Sequence, residues 1–235
     1  MTLHVKDSGT WKQAQEVFVK DGGTWKTCAD VLIKDAGTWK SVLYQAGSQE
    51  FSAGSSGTFT VPAGVYTITV SMIAGGGGGS GGDDYGSAGG GSGGYYQNYS
   101  YSVTPGQSIS YSVGSGAAGT SGTTSLKGGN TVFGALTVTG GANPVNNNPA
   151  TVGLGGSPGG TNGQAGNQSS GSCPAIAGDG ASSLWGTGGA SGDGGCPGQT
   201  GSNGSAGTGY GSGGGGGGNN STGGAGAPGR LWLSW

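Results

Sequence analysis

GGASGDGGCPGQTGSNGSAGTG, residues 188–209, decides how the chain folds, because its glycines keep a beat. Gly186, Gly189, Gly192, Gly195, Gly198, Gly201, Gly204 and Gly207 fall at every third position. A flexible linker has no reason to hold such a period. Three residues per turn is the repeat of the left-handed polyproline II helix, which rises about 3.1 Å per residue and makes no internal hydrogen bonds. Every buried amide in such a segment must therefore bond to a neighbour. Glycine permits that, since a Cβ would hold the backbones apart. Gly153, Gly156 and Gly159 repeat the period, as do Gly160, Gly163 and Gly166, and again Gly223, Gly226 and Gly229. Unbroken, residues 186–207 would span about 65 Å, against a radius of gyration of about 17 Å for a compact chain of this length. The tract is expected to turn back near Cys196-Pro197-Gly198. Collagen is set aside, because the Gly-X-Y runs are short and the eight prolines are scattered.

With 63 glycines in 235 residues and only 8 % charged residues, a conventional core cannot fill the chain, and full disorder is the competing reading. Clean strand patterns between the glycine tracts argue against it. The net charge of −2 comes with no Lys/Arg cluster, so no nucleic-acid partner is expected. No stretch is long and apolar enough to span a bilayer, and the start, MTLHVKDSGTWK, lacks the apolar run of a signal peptide, so synthesis in a cytoplasm is expected.

Two regions follow. Residues 1–48 carry a tandem repeat of fourteen residues: VKDSGTWK from Val5, VKDGGTWK from Val19 and IKDAGTWK from Ile33. In each, Lys-Asp-x-Gly is a turn signal between two short strands, predicting a β-hairpin. Trp11, Trp25 and Trp39 recur with Val17, Val19, Val31 and Ile33, which reads first as a shared apolar strip and second as three binding aromatics. Residues 49–235 are β-patterned between glycine tracts. Tyr66, Ile68, Val70 and Met72 alternate with Thr67, Thr69 and Ser71, a strand buried on one face. YSYSVTPGQSISYSVGSG reads as a hairpin around the type II turn signal Thr104-Pro105-Gly106-Gln107. TVFGALTVTGG offers another strand, and RLWLSW closes the chain with Leu231, Leu233 and Trp235 on one face. The fold expected is all-β with polyglycine II helices and no α-helix: hairpin repeats, then a β-framed glycine-rich sandwich.

Low complexity manufactures false motifs. GxGxxG-like spacings lack the strand-to-helix setting of a phosphate site. His4 is the only histidine, which excludes histidine triads and multi-histidine metal centres. No enzyme activity, cofactor or metal is expected. Cys173 and Cys196, both followed by proline in glycine-rich loops, could pair as a disulfide or be small buried thiols, and Cys28 is the odd one. Aromatic and polar insertions that interrupt the glycine period resemble a paratope in composition. They supply the candidate receptor-binding residues Asp83, Asp84, Tyr85, Tyr95, Tyr96, Asn146, Asn147, Asn148, Trp185, Tyr210, Asn219 and Asn220, while strand alternation explains Tyr99 and Tyr101.

FTVPAGVYTITVSMIAGGGGGSGG, YSVTPGQSISYSVGSG, TSGTTSLKGGNTVFGALTVTGG and GGAGAPGRLWLSW together resemble the glycine-rich domain of bacteriophage tail-fibre and tail-tip proteins, over roughly residues 57–235. The WK repeats are similar to short tandem repeats attached to such proteins. The packing expected is similar to that of glycine-rich distal adhesins of T-even-like phages, in which a monomer caps a trimeric fibre and bundle-end loops touch the receptor. The resemblance implies a virion adhesin. Trp11, Trp25 and Trp39 would serve attachment to other tail or fibre proteins, and the glycine-rich loops would meet a bacterial surface protein or glycan. A purely structural cap or spacer is the alternative, and an ice-binding bundle a third.

Overall fold

The computed structural model describes residues 4–13, 17–28, 31–35, 37–41, 46–82, 87–122, 126–142, 152–166, 176–196 and 199–235. Within them the fold is all-β. Three separate two-stranded sheets come first: β1 (His4–Asp7) with β2 (Thr10–Gln13), β3 (Phe18–Asp21) with β4 (Thr24–Thr27), and β5 (Leu32–Asp35) with β6 (Thr38–Ser41). The turn chemistry explains them. Ser8 and Gly9 take φ of 49° and 87°, and Gly22 and Gly23 take 55° and 83°, the two left-handed residues of a type I′ hairpin. In the second and third repeats the register sets a lysine opposite each tryptophan, Lys20 with Trp25 and Lys34 with Trp39. Each ammonium lies 5.8 Å from its ring centroid. In these two repeats no buried apolar strip forms: Trp25 is 66 % and Trp39 62 % exposed, each with the lysine of its own hairpin over its ring.

A β-sandwich follows. One sheet has the order β10 (Tyr95–Ser102), β9 (Thr67–Ile73), β14 (Arg230–Ser234), β7 (Ser48–Ser52). The other has the order β13 (Leu136–Val138), β12 (Thr131–Phe133), β11 (Ser108–Ser112), β8 (Ser56–Thr60). Ile68, Val70 and Met72 of β9 and Leu231 and Leu233 of β14 point inward onto Phe59, Ile109 and Phe133 of the facing sheet. Trp235 packs its ring on Phe59 at 5.4 Å, as the alternation of the last six residues predicts. Tyr66 instead stays exposed, just outside β9.

The hairpin expected around residues 104–107 is corrected. Gly106 has the positive φ of 78° that a type II turn requires, and the Gln107 amide donates to the Thr104 carbonyl at 3.0 Å. Yet β10 pairs with β9 and β11 pairs with β8 and β12, so the turn is a corner between the sheets. Both flanking strands carry inward apolar residues, and two facing sheets satisfy that pattern as well as a hairpin does.

Six of the sandwich strands run without interruption into glycine-rich tracts: β9 into 74–80, β11 into 113–120 and β13 into 139–142, while 87–94 enters β10, 126–130 enters β12 and 222–229 enters β14. The tract 74–80 is a hub. Its Ala74, Gly77 and Ser80 amides donate to Gly94, Gly91 and Ala88; its Gly76 and Gly79 amides donate to Ala227 and Gly224; its Gly75 amide donates to Gly129. Its carbonyls accept in the same rotation, at Gly76 and Gly79 from Ala117 and Thr120, at Gly77 and Ser80 from Gly214 and Gly217, and at Gly75 from Gly141. One tract thus bonds to six others, and wherever a partner recurs it does so in steps of three. Such a step is what three residues per turn produce.

The number of packed faces follows the number of small residues per turn. Residues 74–80 and 87–94 are buried throughout. The tract 222–229 exposes one position in three, at Ala225 and Pro228. In the tract 186–207, Gly189 and Gly192 are buried while Thr187, Ala190 and Asp193 are exposed. It turns back where expected: Thr208, Ser205 and Ser202 donate to Thr187, Ala190 and Asp193, an antiparallel pairing centred between residues 197 and 198.

Candidate functional site

The outer face of the β10-β9-β14-β7 sheet is where the candidate residues meet. Alternation puts Leu231 and Leu233 inward, so Arg230 and Trp232 of β14 point outward, beside Ser71 of β9 and Glu50 of β7. A β-bulge interrupts β10 between Tyr96 and Tyr99. Asn98 sits in it with φ of 50°, and its amide donates to Ser71 Oγ at 3.0 Å while that hydroxyl donates to Asn98 Oδ1 at 3.3 Å. The bulge re-aims Gln97 and Asn98 toward the outer face.

Two side chains arrive from the glycine tracts. Trp185 stands on a small loop closed by the Ser183 amide donating to the Gly186 carbonyl, and its own carbonyl accepts from the Tyr210 amide at 3.1 Å. Ser183 Oγ donates to the Tyr210 carbonyl at 2.5 Å, tying the two segments together. The Trp185 ring meets Tyr95 edge-on at 6.2 Å. The Arg230 guanidinium lies 4.9 Å from the Tyr210 ring centroid and 5.4 Å from that of Trp232. Its Nη2 donates to Glu50 Oε2 at 2.8 Å, and its buried Nε has no partner. Ser71, Gln97, Asn98, Trp185, Arg230 and Trp232 line a hollow of about 100 Å³, with Trp232 46 % exposed at its rim.

The candidate set is therefore brought together in part. Tyr95, Trp185 and Tyr210 converge, although they lie far apart in the chain. Tyr96 packs toward the core with its ring 5.1 Å from that of Tyr99, and Tyr101 meets Phe133 edge-on at 5.5 Å. Asn219 is corrected from a surface residue to a structural one. It is 0 % exposed, and its Nδ2 donates to the Cys196 and Gln199 carbonyls at 3.1 and 3.0 Å, holding the turn of the 186–208 tract. Asn220 is exposed with φ of 50°, away from the hollow's lining. Asp83, Asp84, Tyr85, Asn146, Asn147 and Asn148 lie outside the described residues. So does Cys173, which could pair with Cys196 or be a small buried thiol; Cys196 is disulfide-bonded.

Sequence reasoning missed Asn98, Arg230 and Trp232. Trp232 was legible: in RLWLSW the residue between two inward leucines must face outward. Arg230 was not, because its ion partner Glu50 lies 180 residues away. Among the described residues no group of His, Cys, Asp and Glu could hold a metal ion.

A family model described as a glycine-rich domain matches residues 51–235, from β7 to the last residue. No curated protein matches the chain.

Proposed function

The chain belongs to the glycine-rich domain family over residues 51–235, and on that premise we propose that it is a bacteriophage tail-fibre or tail-tip adhesin without enzymatic activity. The tracts are polyglycine II helices in this reading, supported by their hydrogen bonding in steps of three. A lattice of mutually bonded backbones is stiff, and stiffness lowers the entropy lost when a displayed surface binds. The observation that carries the reading is the convergence of Tyr95, Trp185, Tyr210, Arg230 and Trp232 on one sheet face, an aromatic and guanidinium patch of the kind that dominates binding energy at interfaces.

The hairpin repeats are the virion end. A lone two-stranded hairpin is marginal in water, and the exposed rings of Trp25 and Trp39 offer apolar area to a partner. Three repeats in one chain suit a trimeric fibre end. The partners are thus other tail or fibre proteins at one end and a bacterial surface molecule at the other, with the protein made in the host cytoplasm and carried on the virion.

The test is direct. Labelled full-length protein should stain the strains that the parent phage infects and compete with virions for adsorption, and Trp25→Ala with Trp39→Ala should abolish incorporation into virions while leaving staining intact. Absent staining together with undiminished adsorption would overturn the adhesin in favour of a structural cap or spacer.

A further inference from the structure

We propose that the hollow between Trp185 and Trp232 is a glycan subsite that takes a single neutral pyranose ring. The inference rests on the adhesin reading for its biological setting and names the ligand class of the same surface.

Size is the first argument. Pockets that enclose a drug-sized ligand have volumes of about 300–1,000 Å³. At about 100 Å³ this hollow holds one ring and leaves whatever is joined to that ring in solvent, which suits a terminal or branching sugar of a surface polysaccharide. Chemistry is the second. The indoles of Trp185 and Trp232 offer apolar faces to the C–H side of a sugar ring. Ser71, Gln97 and Asn98 offer groups that donate and accept, and hydroxyls on a ligand can answer both.

Charge separates neutral sugars from acidic ones. The Arg230 charge is already answered by Glu50 at 2.8 Å, and its faces are covered by Tyr210 and Trp232. No second cation lines the hollow. A carboxylate or phosphate entering it would have to compete with Glu50 for the Arg230 guanidinium.

The experiment titrates the full-length protein with the methyl α-pyranosides of glucose, galactose, mannose, rhamnose and N-acetylglucosamine. N-acetylneuraminic acid and glucuronic acid serve as anionic controls. Indole fluorescence and saturation-transfer NMR are the readouts. At least one neutral sugar should give a saturable response at millimolar concentration, at least tenfold weaker with Trp232→Ala or Asn98→Ala and unchanged with Trp25→Ala. Melting curves for each variant establish that it is folded. No saturable response from any neutral sugar, a response that Trp232→Ala leaves intact, or tighter binding of the anionic sugars overturns the proposal.

Cells separate this inference from the reading beneath it. Staining that is lost when cells are oxidised with periodate and kept after protease treatment supports the glycan. Staining lost to protease and kept after periodate leaves the adhesin standing and removes the glycan, and sugar binding without staining of cells does the reverse.

Discussion

Residues 68–72 and 75–79 lie a few positions apart on one continuous line of chain, yet they are solid for opposite reasons. In β9, Ile68, Val70 and Met72 fill the space between two sheets with side chains. Sheets packed this way stand about 10 Å apart. Past Ile73 the side chains stop, and the same two layers close until backbone bonds to backbone. Thr131 marks the seam: its buried hydroxyl donates to the Ile73 carbonyl at 2.9 Å and accepts from the Gly114 amide at 3.0 Å, crossing from one layer to the other. One residue pair further, Gly75 donates directly to Gly129. The difference teaches that a glycine tract continuing a buried strand is a second kind of core, held by hydrogen bonds whose alternative to water is only another amide.

The sharpest way to break that comparison is Gly77→Ala. An alanine lowers unfolded-chain entropy and by that effect alone would stabilise by about 0.4–1 kcal/mol. Here, however, the added Cβ falls on the Ala142 backbone, well inside the 3.0 Å that real Cβ atoms keep. Ala142 cannot give way easily, because it is itself bonded to Gly91 and Leu154. The expected cost exceeds about 4 kcal/mol, the class reserved for severe packing faults, and thermal unfolding should find the domain unfolded or melting far below wild type. A gain in stability would mean the lattice yields.

The equivalent insult on the sandwich side is Phe133→Ala. Phe133 is fully buried between Phe59 and Tyr101, and its removal should cost about 3–5 kcal/mol in denaturant unfolding. At the seam, Thr131→Val keeps the shape and deletes the hydroxyl. The Gly114 amide then loses its partner, for about 1–3 kcal/mol. An effect near zero would mean that the seam is not where the layers are joined.

How much of this was legible depends on which physical rule wrote each feature. The strands at 67–73 and 230–234 were readable because one buried face imposes a period of two, and the turn-back followed from reach, with Cys196-Pro197-Gly198 as its place. The corner at 104–107 was misread because inward alternation on both flanks cannot tell a hairpin from a crossing between sheets. Uninterrupted glycine such as 75–79 has no period to read, yet it packs on every face, because no turn of it carries a side chain. At the site, Tyr95, Trp185 and Tyr210 stood out as aromatics breaking a glycine rhythm. Asn219 stood out the same way and is buried, since a sequence does not say which loop caps a turn and which meets solvent.

The smallest expected effect lies within a single tract. Gly189 and Ala190 are neighbours in the every-third-glycine segment. Gly189 is buried with its missing Cβ aimed at the Ser205 carbonyl, and Ala190 is exposed. If the period of three is a packing period, Ala190→Ser adds a hydroxyl to solvent and should change stability by no more than about 0.5 kcal/mol. Gly189→Ala should cost about 1–3 kcal/mol, the range of an overpacked site. That is less than at Gly77, because the segment has exposed faces on which to move outward. The ratio carries the information: equal effects at 189 and 190 would mean that the threefold beat has no inside and outside, and the steps of three seen in the hub could not then be extended to the rim of the lattice.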